Sequence, residues 1–516
     1  MTTNIIIEEK IASRSALAST GQIKKVLTKI QTLIDELNKN GLRYCHWKSN
    51  RALAESLLGQ TDIDLLIHRE DARYFRAILS QLCFRPAVSK VGESFPSMEH
   101  YYSIDEESGV LIHVHAYYRV ITGESLSKNY RFPVEEMLLQ NTRQEESVRV
   151  PTKGAELVVF TLRMMLKHTS LVELVLIARY WKQVKQEIKW LLENDSLDEA
   201  LSMIECWLPS LDTGLFSECV DALASPAPLI RRMILGRQLR SRLRNYARHS
   251  AVRAWLIGVG KFTTMFFRRW VGSQKGMNPA SGGAVIAFVG PEATGKSTLL
   301  AEMRHWLGEH FAVEQIHAGK PQSTLLSVVP NLIVPTLRVV LPSYRSSHLE
   351  AQEVSGAQPG KSDAAYPLIF ALRCVLLAHD RRALLTRAFG RAANGTIVLC
   401  DRYPLLSNGI PDGPQLLKLL DGPDRKSIRY RLARIEKRLY QEIPPPDLVI
   451  ALSVPLDVAI LRNATRGKKE PEDYVRMRHA KSSILEYEKA SVYKVNTNQP
   501  FENTVLEVKK AIWNIL

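Results

Sequence analysis

The feature that most limits how this chain can fold is Gly290-Pro-Glu-Ala-Thr-Gly-Lys-Ser297, which satisfies G-x-x-x-x-G-K-[ST]. Before it, Ala284-Val-Ile-Ala-Phe-Val289 is short and wholly apolar, as a strand buried on both faces must be. After it, Thr298–Leu307 reads as a helix. Strand, glycine turn and helix in that order predict a parallel α/β sheet with helices on both faces. The same turn suits phosphate. Gly290 and Gly295 let the backbone around Glu292 and Thr294 turn its N–H groups inward, and the helix opening at Ser297 and Thr298 adds partial positive charge. Lys296 then reaches the β/γ-phosphates and the Ser297 hydroxyl is placed for Mg²⁺. The alternative is a glycine-rich turn that fits the pattern by chance.

At 516 residues the chain exceeds one hydrophobic core. Pattern shifts predict an α/β unit at 1–150, a helical subdomain at 151–227, a basic connector at 228–280 and a P-loop domain at 281–516. Six scattered cysteines show neither C-x-x-C nor zinc spacing, which fits a reducing compartment without structural metal. Glu8, Glu9, Lys10 and Arg14 stand where a secretory leader needs apolar residues. The longest apolar candidate, Leu325–Leu341, is broken by Pro330, Pro335 and Arg338. A cytoplasmic chain is therefore expected.

The net charge of +16 is unevenly placed. No acidic residue lies between Asp221 and Glu292, whereas Arg231, Arg232, Arg237, Arg240, Arg242, Arg244, Arg248, Arg253, Lys261, Arg268, Arg269 and Lys275 all do. Ile230, Ile234, Trp255, Leu256, Phe262, Phe266, Phe267 and Trp270 are interleaved with them. Two readings follow: a helical pair packed between domains with solvated arginines, or amphipathic helices lying peripherally on an anionic membrane. Nucleic acid is not the expected partner, and a homodimer is compatible with either reading.

In the first 150 residues, helix 22–40 precedes alternating short strands and helices. Asp62 and Asp64 alternate on one strand, so both carboxylates can face one hard cation, a candidate second metal site. A polar strand face is the plain alternative. Lys48-Ser49-Asn50 followed by this D-x-D strand resembles the nucleotidyltransferase superfamily of DNA polymerase β, which implies an α+β domain of that type and metal-dependent nucleotidyl transfer. The sequence departs from the pattern at Lys48-Ser49, where Gly-Ser is usual, and at His113 and His115, which stand where the third acid belongs. Farther on, the helical stretch around Glu173 and Lys182 suggests only surface charge.

Past the phosphate turn, Thr396-Ile-Val-Leu-Cys400 reads as a buried strand ending in Asp401-Arg402-Tyr403. Ligands of such sheets bind beyond the carboxyl ends of the strands, where Asp401 can hold Mg²⁺ and Arg402 can clamp a phosphate. A buried structural ion pair is the alternative. Arg462 and Arg466 lie one helical turn apart, and Lys468, Lys469, Arg476 and Arg478 extend a cationic run suited to a lid.

With Glu292, the D-R-Y element, Pro446-Asp-Leu-Val-Ile450, this Arg-rich run and Asn496–Pro500 in order, residues from about 284 to 516 resemble the thymidylate kinase family of P-loop nucleotide kinases. They are most similar to bacterial members with an added N-terminal region and basic connector, many of them tied to surface polysaccharide biosynthesis. The resemblance implies an ATP- and Mg²⁺-dependent phosphotransferase. In it Lys296 and Ser297 serve ATP and the metal, Glu292 and Arg402 face the acceptor, and Arg462 and Arg466 form the lid. The acceptor would be a nucleoside monophosphate or a related phosphorylated or sugar metabolite. Lys320 stands where a phosphate-binding Arg is usual, and Arg373, Asp380, Arg381 and Arg382 are candidate replacements. Two further functions stay open: nucleotidyl transfer at Asp62/Asp64, and a non-catalytic, ATP-switched scaffold at a membrane.

Overall fold

The structure is a computed structural model that describes residues 26–89, 97–167, 173–174, 178, 180–270, 276–319, 321, 368–406, 412–422, 425–465, 470–482, 487 and 489–516. Lys320, the stretches 325–341 and 343–363, Arg466, Lys468 and Lys469 lie outside the described residues. Contacts divide the chain into two compact units, Met1–Cys83 with Asp105–Val259 and Phe84–Ile104 with Gly260–Leu516.

In the first unit, α1 (Thr28–Lys39) buries Ile30, Leu33, Ile34 and Leu37, the stripe that its helical spacing dictates. Strand β1 (Tyr44–His46) runs antiparallel to β2 (Ile63–Ile67), and β2 runs parallel to β3 (Leu111–Tyr117). The β2/β3 register sets Asp64 opposite His115. Helix α2 (Lys153–Lys167) is apolar nearly all round, and for that reason it is sunk in the core with Ile188, Phe216, Leu223 and Leu239 packed in the same cluster. Glu173 is not the surface charge expected: it is 3% exposed and accepts hydrogen bonds from the Ser125 N–H and Oγ–H at 2.6 and 2.9 Å. Two basic helices follow, α3 (Leu229–Arg242) within this unit and α4 (Ala251–Trp270), which continues into the second unit from Gly260.

The second unit carries β4 (Val285–Val289), α5 (Lys296–Gly308), β5 (Val313–His317), α6 (Leu368–Ala393), β6 (Ile397–Asp401), α7 (Ile428–Gln441), β7 (Leu448–Ser453), α8 (Leu456–Ala464), α9 (Glu472–Ser482), β8 (Ser491–Asn496) and α10 (Phe501–Ile515). Its strands form one all-parallel sheet in the order β5-β6-β4-β7-β8. Every residue of β4 is buried, which requires cover on both faces. Val285, Ala287 and Val289 meet Leu385, Ala388 and Ala392 of α6 on one of them. The Asp447 carboxylate accepts the Val285 N–H at 2.7 Å and pins the start of β7 to β4. Because β5 and β6 lie on one side of β4 and β7 and β8 on the other, the carboxyl ends of β4 and β6 flank a topological switch point. The same unit holds an antiparallel trio in which Arg85–Ser89 pairs with both Met98–Ile104 and Met277–Pro279.

Candidate functional site

The phosphate turn joins β4 to α5 at that switch point. Gly290 has φ 147°, and a Cβ there would lie 2.4 Å from the Leu452 carbonyl oxygen of β7, so only glycine passes this crossing. Gly295, at φ 83°, opens α5, and Ala293 holds φ 62° despite its side chain. The Lys296 ammonium donates to the carbonyls of Gly290 at 2.9 Å and Pro291 at 2.6 Å, so it lies across the turn. Burial lowers its pKa to about 8, with Glu292 opposing and the charges of Arg402 and Arg478 reinforcing the shift.

A cavity of about 290 Å³ opens over the turn. Glu292, Thr294, Gly295, Lys296, Ser297 and Thr298 line its floor, His317 enters from the end of β5, Asp401 and Arg402 from the end of β6, and Arg462 from α8. Gly290, which shapes the turn, is not part of this lining, and neither are Arg373, Asp380, Arg381, Arg382 and Arg478 among the other residues read from sequence. The Ser297 hydroxyl and the Asp401 carboxylate share the cavity, and two hard oxygen donors suit Mg²⁺.

Arg402 sits in the left-handed region at φ 66°. Its guanidinium donates to Glu292 at 3.1 Å and to Asp412 at 3.5 Å, while Arg478 approaches Glu292 to 3.7 Å. Burial alone would lower its pKa, yet Asp412, Glu292 and Asp401 outweigh it and raise the value. Asp412 is held in turn by Arg381, which is 3% exposed and therefore no surface charge. Arg381 Nε bonds Ala318 O, Nη1 bonds Asp412 O and Tyr440 Oη, and Nη2 bonds Gly319 O and Asp412 Oδ1. Those five bonds use all five donors of a guanidinium, so Arg381 has none left for an acceptor phosphate. It is a strut that ties the end of β5 to Asp412.

Arg462 is likewise anchored, donating to Thr497 Oγ1 at 3.2 Å and Thr497 O at 2.9 Å. Beside it a second cavity of about 210 Å³ is lined by Thr298, Leu299, Arg462, Thr497, Gln499 and Phe501, among others. Sequence reasoning did not single out His317, Asp412 or Thr497. His317 was legible as the last residue of a strand in this sheet, whereas nothing in the sequence around Asp412 marks it.

In the first unit Asp62 and Asp64 are engaged by cationic and imidazole groups. His113 Nδ1 is 2.8 Å from Asp62 Oδ1, and His115 Nδ1 is 3.0 Å from Asp64 Oδ1. Lys48 Nζ reaches the same Asp64 oxygen at 3.0 Å and donates to Tyr117 Oη at 2.9 Å. Burial would raise the Asp64 pKa, but Lys48 and His115 hold it well below the usual carboxylate range. Asn50 is pinned by His46 at 2.6 Å and donates to Glu156 at 2.8 Å. Burial pushes the Glu156 carboxyl up to about 7.

No protein-family model matches the chain. A protein of Escherichia coli K12 named "Uncharacterized ATP-binding protein YghR" is 26% identical over 235 residues, which span 44% of this chain and 86% of YghR. "Uncharacterized ATP-binding protein YghS" of the same strain is 30% identical over 188 residues, 34% of this chain and 72% of YghS. Among solved structures, a thymidylate kinase from Candida albicans overlays with a TM-score of 0.25 at 16% identity, covering 45% of this chain and 91% of its own. At that score the overlay carries no argument.

Proposed function

The chain belongs to the family of the Escherichia coli ATP-binding proteins YghR and YghS, and from that premise we propose that it binds ATP over the Gly290–Ser297 turn and transfers its γ-phosphoryl group to a small acceptor. One observation carries the reading: Lys296, Ser297, Asp401, Arg402 and Arg462 come from separate elements and line one cavity of about 290 Å³. Phosphoryl transfer needs position and neutralised charge more than covalent chemistry, and that set supplies both. Lys296 exchanges the carbonyls of Gly290 and Pro291 for phosphate oxygens. Mg²⁺ between Ser297 and Asp401 would neutralise the bridging phosphates. Arg402, aimed by Glu292 and Asp412, meets the charge that develops between donor and acceptor, and Arg462 closes the cavity from α8. The proposed acceptor is a nucleoside monophosphate or a related phosphorylated or sugar metabolite, as for a phosphotransferase of thymidylate kinase type.

Nucleotidyl transfer at Asp62/Asp64 is not proposed, because a metal there would have to displace the Lys48 ammonium from Asp64 at 3.0 Å. The test is calorimetric titration with ATP, followed by transfer of radiolabelled γ-phosphate to a panel of nucleoside monophosphates and sugars. ATP should bind and one acceptor class should become labelled, both lost in Lys296→Ala. Undiminished turnover in that variant would sink the assignment.

A further inference from the structure

Helix α4 carries an apolar stripe whose residues are substantially exposed to solvent. Val252, Trp255, Leu256, Val259, Phe262 and Phe267 are 69%, 65%, 57%, 39%, 41% and 62% exposed. Steps of three and four residues put them on one side of a 3.6-residue helix. Ala254, fully buried, and the partly buried Ile257, Gly258 and Lys261 fall on the opposite side. The helix thus buries its Ala254 side and leaves the side of Val252, Trp255, Leu256, Val259 and Phe262 exposed. Exposed Arg253 borders the stripe, and exposed Arg242, Arg244 and Arg248 lie just before the helix.

Charge decides what would cover such a face. No carboxylate occurs between Asp221 and Glu292, so a second copy meeting the same stripe would set arginines against arginines. A nucleic acid would be held by the arginines but would leave the wide apolar stripe in water. An anionic bilayer satisfies both: apolar side chains enter the acyl boundary, the Trp255 ring suits the headgroup level, and guanidinium groups meet lipid phosphates. No helix among the described residues is long and apolar enough to cross a membrane. We propose that α4 lies in the plane of an anionic membrane surface, with the Val252–Phe267 stripe inserted and Arg248 and Arg253 at the phosphates.

The test uses the full chain in a flotation assay with vesicles of phosphatidylcholine alone and of phosphatidylcholine with phosphatidylglycerol. Flotation is expected only with the anionic vesicles and should fall as salt rises. Arg248→Gln with Arg253→Gln should weaken it roughly thirtyfold, and Trp255→Gln with Leu256→Gln should abolish it. Calorimetric binding of ATP, and the thermal unfolding temperature, should stay unchanged in both variants, which separates failure here from failure of the phosphotransferase reading. Equal flotation with both vesicle types, none with either, or wild-type flotation of the Trp255/Leu256 variant would overturn the proposal. So would a lipid-free dimer that the Trp255/Leu256 variant dissociates in sedimentation, or binding to duplex DNA in place of vesicles.

Discussion

Replacing Arg381 by Ala separates a strut from an acceptor clamp. The substitution orphans the carbonyls of Ala318, Gly319 and Asp412 and the Tyr440 hydroxyl, and leaves the Asp412 carboxylate with Arg402 at 3.5 Å as its remaining cation among the described residues. Breaking a buried, hydrogen-bonded pair from one side costs about 3–5 kcal/mol. At roughly 2–4 °C per kcal/mol for a domain of this size, the unfolding temperature of the second unit should drop by ~6–20 °C. Arg381→Lys keeps the charge but offers three donors for five acceptor contacts, so about half that loss is expected. Scanning calorimetry of both variants, with and without ATP, reads the effect. Were Arg381 a clamp on substrate, Arg381→Ala would melt at the wild-type temperature and show only a raised acceptor KM. That result would refute the strut.

Gly290→Ala should abolish ATP binding in calorimetric titration, because its Cβ would press on the Leu452 carbonyl at 2.4 Å and the backbone at φ 147° resists a side chain. Glu156 sets a pH dependence of opposite sign to that of a salt-bridged carboxylate. With its pKa raised from 4.5 to about 7, the folded state binds more protons than the unfolded state between those values, so stability is lost as pH rises through that window. The penalty approaches ~3 kcal/mol above about pH 7. Denaturant unfolding at about pH 5 and about pH 8 should show this loss in the wild type and a much smaller one in Glu156→Gln; parallel slopes would count against it.

What was legible in the sequence was whatever local chemistry dictates. The all-apolar Ala284–Val289 run could only be a doubly buried strand, and the glycines that follow admit backbone angles that other residues resist. Less legible was anything that depends on which distant segment arrives opposite. Arg381 and Asp380 look like ordinary charges on a long helix, and nothing nearby in sequence says that Arg381 will be walled in by Ala318, Gly319, Asp412 and Tyr440. Glu173 misleads in the same way, since its partner Ser125 is 48 residues away.

The apolar period of the connector α4 serves either of the two readings the sequence leaves open, and Val252, Trp255, Leu256, Val259 and Phe262 are exposed. Ala254 is fully buried and holds the helix to its support, whereas the space beside Gly258 is open. The larger residues are then left outward, where the surrounding arginines determine the kind of surface that can receive them. The same logic distinguishes the two carboxylate centres. Asp401 ends a parallel strand at the switch point and shares a cavity with Ser297, whereas Asp64 pairs through β2 and β3 with His115 and meets Lys48. Two aspartates that look alike as strand residues thus differ in chemistry because one faces an open cavity and the other an ammonium group.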